Sequence, residues 1–349
     1  MSDLLTVVAA QPNLLYQDPV VWRWRRLRLE TLAIYQKGFL MQRVVAYGRE
    51  LERFSPLARV VTFDDFDTGF NGWMDLTPNF VNADYESFDS AVDLTSWAPA
   101  MLSSAPMRFA ASNGSMDGTY SLKLTTAPVA APHTEPPADG SMGVVVKRLS
   151  RYGDPSQIQI EAWYSYTPAQ DRVGIGEEDI RAFGFYFDIQ DAHYRYMPGV
   201  RYVNSLDGTL IKRWQYWKAT EGVTHESWNY GVSRGWCKPG IDNLWYGQRY
   251  EDGSSDGYQW VPDGEQDLLY NESPDKLNWL YFRLTVDVRK RQYIELQSMD
   301  RVFDLRGISP TLSDRYRAID NLINPIFYVE TDTNRAVHLF LDSVLYSTE

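Results

Sequence analysis

The sequence is poor in the residues that staple a fold, ligate soft metals or cross a membrane. One of its 349 residues is cysteine, Cys237, so neither an intramolecular disulfide nor a cysteine-based zinc finger can form. The four histidines, His133, His193, His225 and His338, show no metal-ligand spacing and read as ordinary surface or loop residues. No apolar run is long enough to span a bilayer. Met1 to Leu15 lacks a basic stretch followed by an apolar one, so the expectation is a cytoplasmic chain without a membrane partner. Basic residues are outnumbered, 34 against 46 acidic, and a net charge of −12 repels nucleic acid outside a local basic patch. That patch, Arg23, Arg25, Arg26 and Arg28, is interleaved with Trp22, Trp24, Leu27 and Leu29, as in an edge or interface strand. Repeats at solenoid or propeller periods, a P-loop and a dinucleotide fingerprint are all missing. Gly231-Val232-Ser233-Arg234-Gly235 spells a nucleophile elbow, but it lies between Trp228 and Trp236 with Pro239 close behind. The motif needs a strand before it and a helix after it, so it is set aside.

Aromatic residues are abundant, 14% of the chain with 23 Tyr and 12 Trp, which suits β structure and surfaces that stack on rings. Residues 1–58 have ambiguous periodicity and read as an N-terminal arm or accessory segment, able to join copies of the chain into a homo-oligomer. From residue 59 to 349 the pattern is that of a single β-sandwich. Ala127 to Gly140, with four prolines, is a loop. Strands are expected at Gln157–Tyr166, Arg181–Gln190, Trp279–Arg289, Gln292–Met299, Pro325–Glu330 and Ala336–Tyr346. The tract Arg195–Asn278 holds Arg201, Tyr202, Trp214, Trp217, Trp228, Trp236 and Trp245, and reads as a long aromatic-rich loop excursion. Many short strands and few helix signals make the fold class all-β, a jelly-roll β-sandwich.

Alternation splits each strand into two faces. Ile158, Ile160, Ala162 and Tyr164 oppose Gln157, Gln159, Glu161 and Trp163. Phe183, Phe185, Phe187 and Ile189 oppose Tyr186, Asp188 and Gln190. Leu280, Phe282, Leu284, Val286 and Val288 oppose Tyr281, Arg283, Thr285 and Asp287. Ile294 and Leu296 oppose Tyr293, Glu295 and Gln297. The outer faces carry no lysine. Planar amides and carboxylates form paired hydrogen bonds with vicinal hydroxyls, and an aromatic ring covers the C–H face of a sugar. The expected ligand is therefore a glycan or oligosaccharide, held by Gln159, Trp163, Tyr186, Gln190, Arg201, Tyr281, Arg283 and Gln297. A sheet merely covered by the aromatic tract would also explain these residues.

Phe63-Asp64-Asp65-Phe66 with Gly72-Trp73, Gly118-Thr119-Tyr120-Ser121-Leu122-Lys123-Leu124 and Leu341-Asp342-Ser343-Val344 resemble landmarks of galactose-binding-like and concanavalin-like jelly rolls. The resemblance runs from Val60 to Glu349 and implies a carbohydrate-binding module or a glycan-active enzyme. It also implies a structural calcium, with Asp64, Asp65 and Asp342 as ligands; no other cofactor is expected.

Glycosidases place two carboxylates on either side of the scissile bond, and Glu161, Asp188 and Glu295 share the outer parity that would allow such a pair. Arg283, Gln190, Tyr281 and His193 can be assembled into a lyase set, as can many others. Three readings stay open: a glycan-binding sandwich, a glycoside hydrolase or polysaccharide lyase on the same face, and a structural or assembly protein. The specific sugar, the linkage and the order of the strands are not written in the sequence.

Overall fold

The computed structural model describes residues 51–75, 100–104, 114–126, 141–150, 154–168, 176–206, 208–218, 258–270, 278–313, 322–331 and 336–349. The first strands are β1 (Arg59–Asp64), β2 (Trp73–Asp75), β3 (Met101–Ser104), β4 (Tyr120–Thr125), β5 (Ser141–Lys147) and β6 (Leu149–Ser150). Then come β7 (Gln157–Pro168), β8 (Ala182–Gln190), β9 (Arg195–Tyr196), β10 (Gly199–Leu206), β11 (Thr209–Trp217) and β12 (Tyr258–Glu265). The chain continues with β13 (Leu280–Asp287), β14 (Gln292–Ser298), β15 (Arg301–Asp304), β16 (Leu312–Ser313), β17 (Leu322–Thr331) and β18 (Val337–Thr348).

These strands form two antiparallel sheets, the all-β jelly-roll sandwich expected from the sequence. Sheet A runs β15-β14-β13-β7-β18-β4-β3, with β1 also on β18. Sheet B runs β12-β11-β10-β8-β17-β5-β2, with β6, β9 and β16 on its margins. The inner faces follow the alternation. Ile158, Ile160 and Ala162 of β7, Phe282, Leu284 and Val286 of β13, and Phe183, Phe185, Phe187 and Ile189 of β8 are all buried in one core. Rings from opposite sheets meet there: Phe185 lies 5.7 Å from Phe282, and Trp214 stacks on Phe282 at 6.2 Å. Each such side chain contributes about 1.5–3 kcal/mol through removal from water.

Three expectations need correction. First, β8 is in sheet B while β7, β13 and β14 are in sheet A, so the outer residues do not share one face. Second, Tyr293 is a core residue. A bulge lies between the pairs Thr285↔Glu295 and Val286↔Tyr293, so Ile294 is the extra residue and parity flips before it. Tyr293 then packs inward at 1% exposure and hydrogen-bonds the backbone of Gly199 and Trp217 through its hydroxyl. Third, the two ends of the Arg195–Asn278 tract are not loop: they supply β9 to β12, four of the ten strands of sheet B. Both faces of β10 are buried, and such strands lose the apolar–polar alternation that marks a half-exposed one. Trp228, Trp236, Trp245, Cys237, His133, His225 and the Arg23–Arg28 run lie outside the described residues, as does the arm up to residue 50.

Leu51 to Leu57, just before β1, form a strap over the outer face of sheet A. Leu51 and Phe54 bury against Phe63, Tyr281 and Leu345, and Phe54 meets Phe63 edge-on at 5.9 Å.

Candidate functional site

On the outer face of sheet A, strand register assembles most of the residues singled out from the sequence. Tyr281 pairs with Trp163, Arg283 with Glu161 and Gln297, and Thr285 with Gln159 and Glu295. The strap closes one half of this face. Ser55 N–H donates to Glu161 Oε2 at 2.6 Å, and Gln159 Nε2 donates to the Ser55 carbonyl at 2.8 Å. Tyr281 hydroxyl and Gln159 Nε2 also donate to Glu161, at 2.5 and 2.8 Å. Burial raises the Glu161 carboxyl above its usual range, and these donors oppose the shift. Both Glu161 oxygens are thus engaged by donors of the protein itself. Glu295 sits beyond β13 with Arg283 Nη2 at 2.5 Å.

The three aspartates implied for calcium have separate engagements. Asp64 points into the sandwich and takes Lys147 Nζ at 2.6 Å and Trp73 Nε1 at 2.9 Å. Asp65 accepts from Asp67 N–H, while Asp342 accepts from the N–H groups of Met116 and Asp117 at 2.6 and 3.2 Å. Burial pushes the Asp342 carboxyl up to about 7. Among the described residues no three His, Cys, Asp or Glu side chains converge on a metal position.

Tyr186, Asp188, Gln190 and Arg201 lie on the other side of the molecule, on the outer face of sheet B. Asp188 is held by Arg195 through two bonds of 2.9 and 3.0 Å. The centre of this face is different in kind. Arg201 pairs with Gln215 of β11 and with Gly184 of β8, which in turn faces Tyr328 of β17. The Arg201 guanidinium stacks 3.9 Å from the Tyr258 ring centroid and donates through Nε to Gln215 at 2.7 Å. Tyr258 and Tyr328 share a hydroxyl–hydroxyl bond of 2.7 Å, and Trp217 meets Tyr258 edge-on at 5.3 Å. A Cβ on Gly184 would stand 2.5 Å from the Tyr328 hydroxyl and 2.6 Å from the Val200 carbonyl oxygen, so only glycine allows this approach. Burial, with Tyr258 and Glu330 nearby, lifts the Tyr328 hydroxyl well above its usual range and keeps it a neutral donor and acceptor.

Glu330 completes the cluster. It is fully buried, with its oxygens 3.5 Å from Arg181 Nε and 3.7 Å from Arg201 Nη1. These are ion-pair distances, too long for hydrogen bonds. Neither Glu330 oxygen has a hydrogen-bond partner, and neither does Arg201 Nη1. A buried acceptor and a buried donor, both unsatisfied and 3.7 Å apart, match a group that donates and accepts together, which is the chemistry of a hydroxyl. Sequence reading missed Glu330, Gln215 and Tyr258. Splitting Pro325–Glu330 by parity would have found the first, since Ile326, Tyr328 and Glu330 share a face.

An all-β sandwich with a buried polar-aromatic cluster on one outer face is thus the class of protein the structure defines. Residues 41–349 match the family model described as a domain of unknown function, DUF6772, and the chain belongs to that family. No curated protein matches it. Among solved structures it is similar to the carbohydrate recognition domain of Emp47p, with 11% identity, 71% of this chain and 94% of that one covered, and a TM-score of 0.33. It is also similar to the legume lectin-like domain from Entamoeba histolytica (9% identity, 72% and 90% covered, TM-score 0.34). A third is the T. cruzi calreticulin globular domain (8% identity, 83% and 88% covered, TM-score 0.33).

Proposed function

We propose that the chain binds a glycan on the outer face of sheet B, around Glu330 and Arg201. The observation that carries this reading is the buried Glu330–Arg201 pair, whose facing atoms lack hydrogen bonds. One sugar hydroxyl donating to Glu330 and accepting from Arg201 Nη1 satisfies both. The Tyr258 ring, already stacked on the Arg201 guanidinium, holds that donor in place, and the adjoining Tyr258–Tyr328 hydroxyl pair extends the polar cluster. Binding is favoured over cleavage because Glu161, Asp188 and Glu295, the carboxylates considered for catalysis, are each engaged by internal donors.

A glycan array followed by titration calorimetry on the best ligand tests the reading. Glu330→Gln and Arg201→Met are each expected to weaken binding about 10- to 100-fold, as for loss of a charged hydrogen-bond partner. Wild-type affinity in both variants, or no binding to any sugar on the array, would overturn it.

A further inference from the structure

We propose that Lys123 is a reactive amine that forms an imine with a small neutral aldehyde at the β3 margin of sheet A. Leu122 and Leu124 are buried in the core, so Lys123 of β4 points to the outer face. It pairs with Phe340 of β18 on one side and with Met101 of the edge strand β3 on the other. The strap lies elsewhere on β18, against Leu345 and Ser347. Phe340 is buried, but Met101 is 44% exposed, so the half-buried amine is approached from the β3 side. Among the described residues Lys123 Nζ has no hydrogen-bond or ion-pair partner. It stands 5.7 Å from the Phe340 ring centroid, near the limit of cation–π reach. Lys147, Lys212 and Lys290 differ: they are paired with Asp64, Glu177 and Asp287 respectively.

The surroundings supply no negative charge. Ser121 and Thr125 flank Lys123 along β4, Met101 and Ser103 line β3, and His338 of β18 is its diagonal neighbour, with Nδ1 3.1 Å from Thr125 Oγ1. Burial, and then the Lys123 charge, hold the imidazole down to about 3, so His338 is neutral. Burial likewise holds the Lys123 amine below its usual range, with no carboxylate to offset it. A desolvated lysine carries more free amine at neutral pH, the form that attacks a carbonyl carbon. The C–N bond forms as the carbonyl π pair moves to oxygen, which takes up the proton that nitrogen releases. That hydroxyl then leaves with the second N–H proton as water, giving C=N. Amine and aldehyde become imine and water, with no oxidant or reductant. Burial penalises an ammonium but not a neutral imine, and a carboxylate or phosphate on the aldehyde finds no second cation here, which favours a neutral partner.

Reductive trapping on the full chain with glycolaldehyde and cyanoborohydride, mapped by peptide mass spectrometry, decides the matter. At pH 7 and limiting aldehyde, Lys123 should be alkylated about three- to tenfold more than Lys290, whose side chain is 73% exposed. The excess should vanish near about pH 11, where most lysine amines are neutral, and in concentrated urea, where burial is lost. Lys123→Arg, which keeps a charge and a long stem, should lose this adduct and leave labelling of Lys290 unchanged. Labelling of Lys123 no greater than that of Lys290 in the folded chain at pH 7, or an excess that survives in urea, would overturn the proposal. Either result leaves the sheet B reading untouched, since no residue is shared.

Discussion

Glu161 and Glu330 occupy comparable positions on the two sides of the sandwich. Each sits on an outward-facing register of a central strand, and each is fully removed from solvent. Around Glu161 the chain supplies a backbone N–H, a phenol and an amide, and the strap closes over them. Around Glu330 it supplies two guanidinium groups at 3.5 and 3.7 Å and no hydrogen bond. Burial alone therefore does not distinguish a carboxylate with a complete set of donors from one without them. What separates them is whether the buried oxygens are satisfied, because an unsatisfied buried polar group costs free energy that a bound partner can recover.

The sharpest way to break this comparison is to delete Glu330. Glu330→Ala leaves Arg201 and Arg181 buried without their shared counter-charge, and a loss of about 3–5 kcal/mol is expected in urea unfolding. A smaller, pH-dependent effect belongs to Asp342. Its folded carboxyl is raised to about 7 from an ordinary value of 3.8. A raised carboxyl contributes stability that is fully present below the unfolded value and is lost as pH climbs through about 7. Asp342→Asn should remove that decline and stabilise the chain at pH 8 by on the order of 1–3 kcal/mol, with little change at pH 4, as read by thermal melts across pH. The smallest effect is expected at Glu161. Glutamine keeps an acceptor for Ser55 and removes a charge that burial disfavours, so Glu161→Gln should shift stability by less than about 1 kcal/mol and leave unchanged any sugar binding at the proposed sheet B site. A large loss there, comparable to Glu330→Ala, would erase the distinction between the two faces.

Much of this was legible in the sequence. Alternation alone placed Phe183, Phe185 and Phe187 inside and Glu161, Trp163 and Arg283 outside, because a half-buried strand writes its faces at period two. It could not say that β7 and β8 belong to different sheets, since pairing partners such as Arg283 and Glu161 are set by tertiary register. Tyr293 escaped because one bulged residue reverses parity. Arg201 and Gln215 sat in a tract read as loop, since strands buried on both sides carry no clean alternation. Glu330 is an isolated carboxylate at the end of an apolar run, and its meaning depends on two arginines far away in the chain.

The twelve residues of β18 join β7 along one edge, and β4 and then β1 along the other. Of all the strands described it is the last to leave the ribosome, yet sheet A cannot close without it. The earlier strands of that sheet must wait with open edges until β18 has been made, an interval in which edge-to-edge association competes with folding. Slowing translation would lengthen that exposure, so this protein's yield should depend on elongation rate and chaperone supply more than a helical protein of equal size.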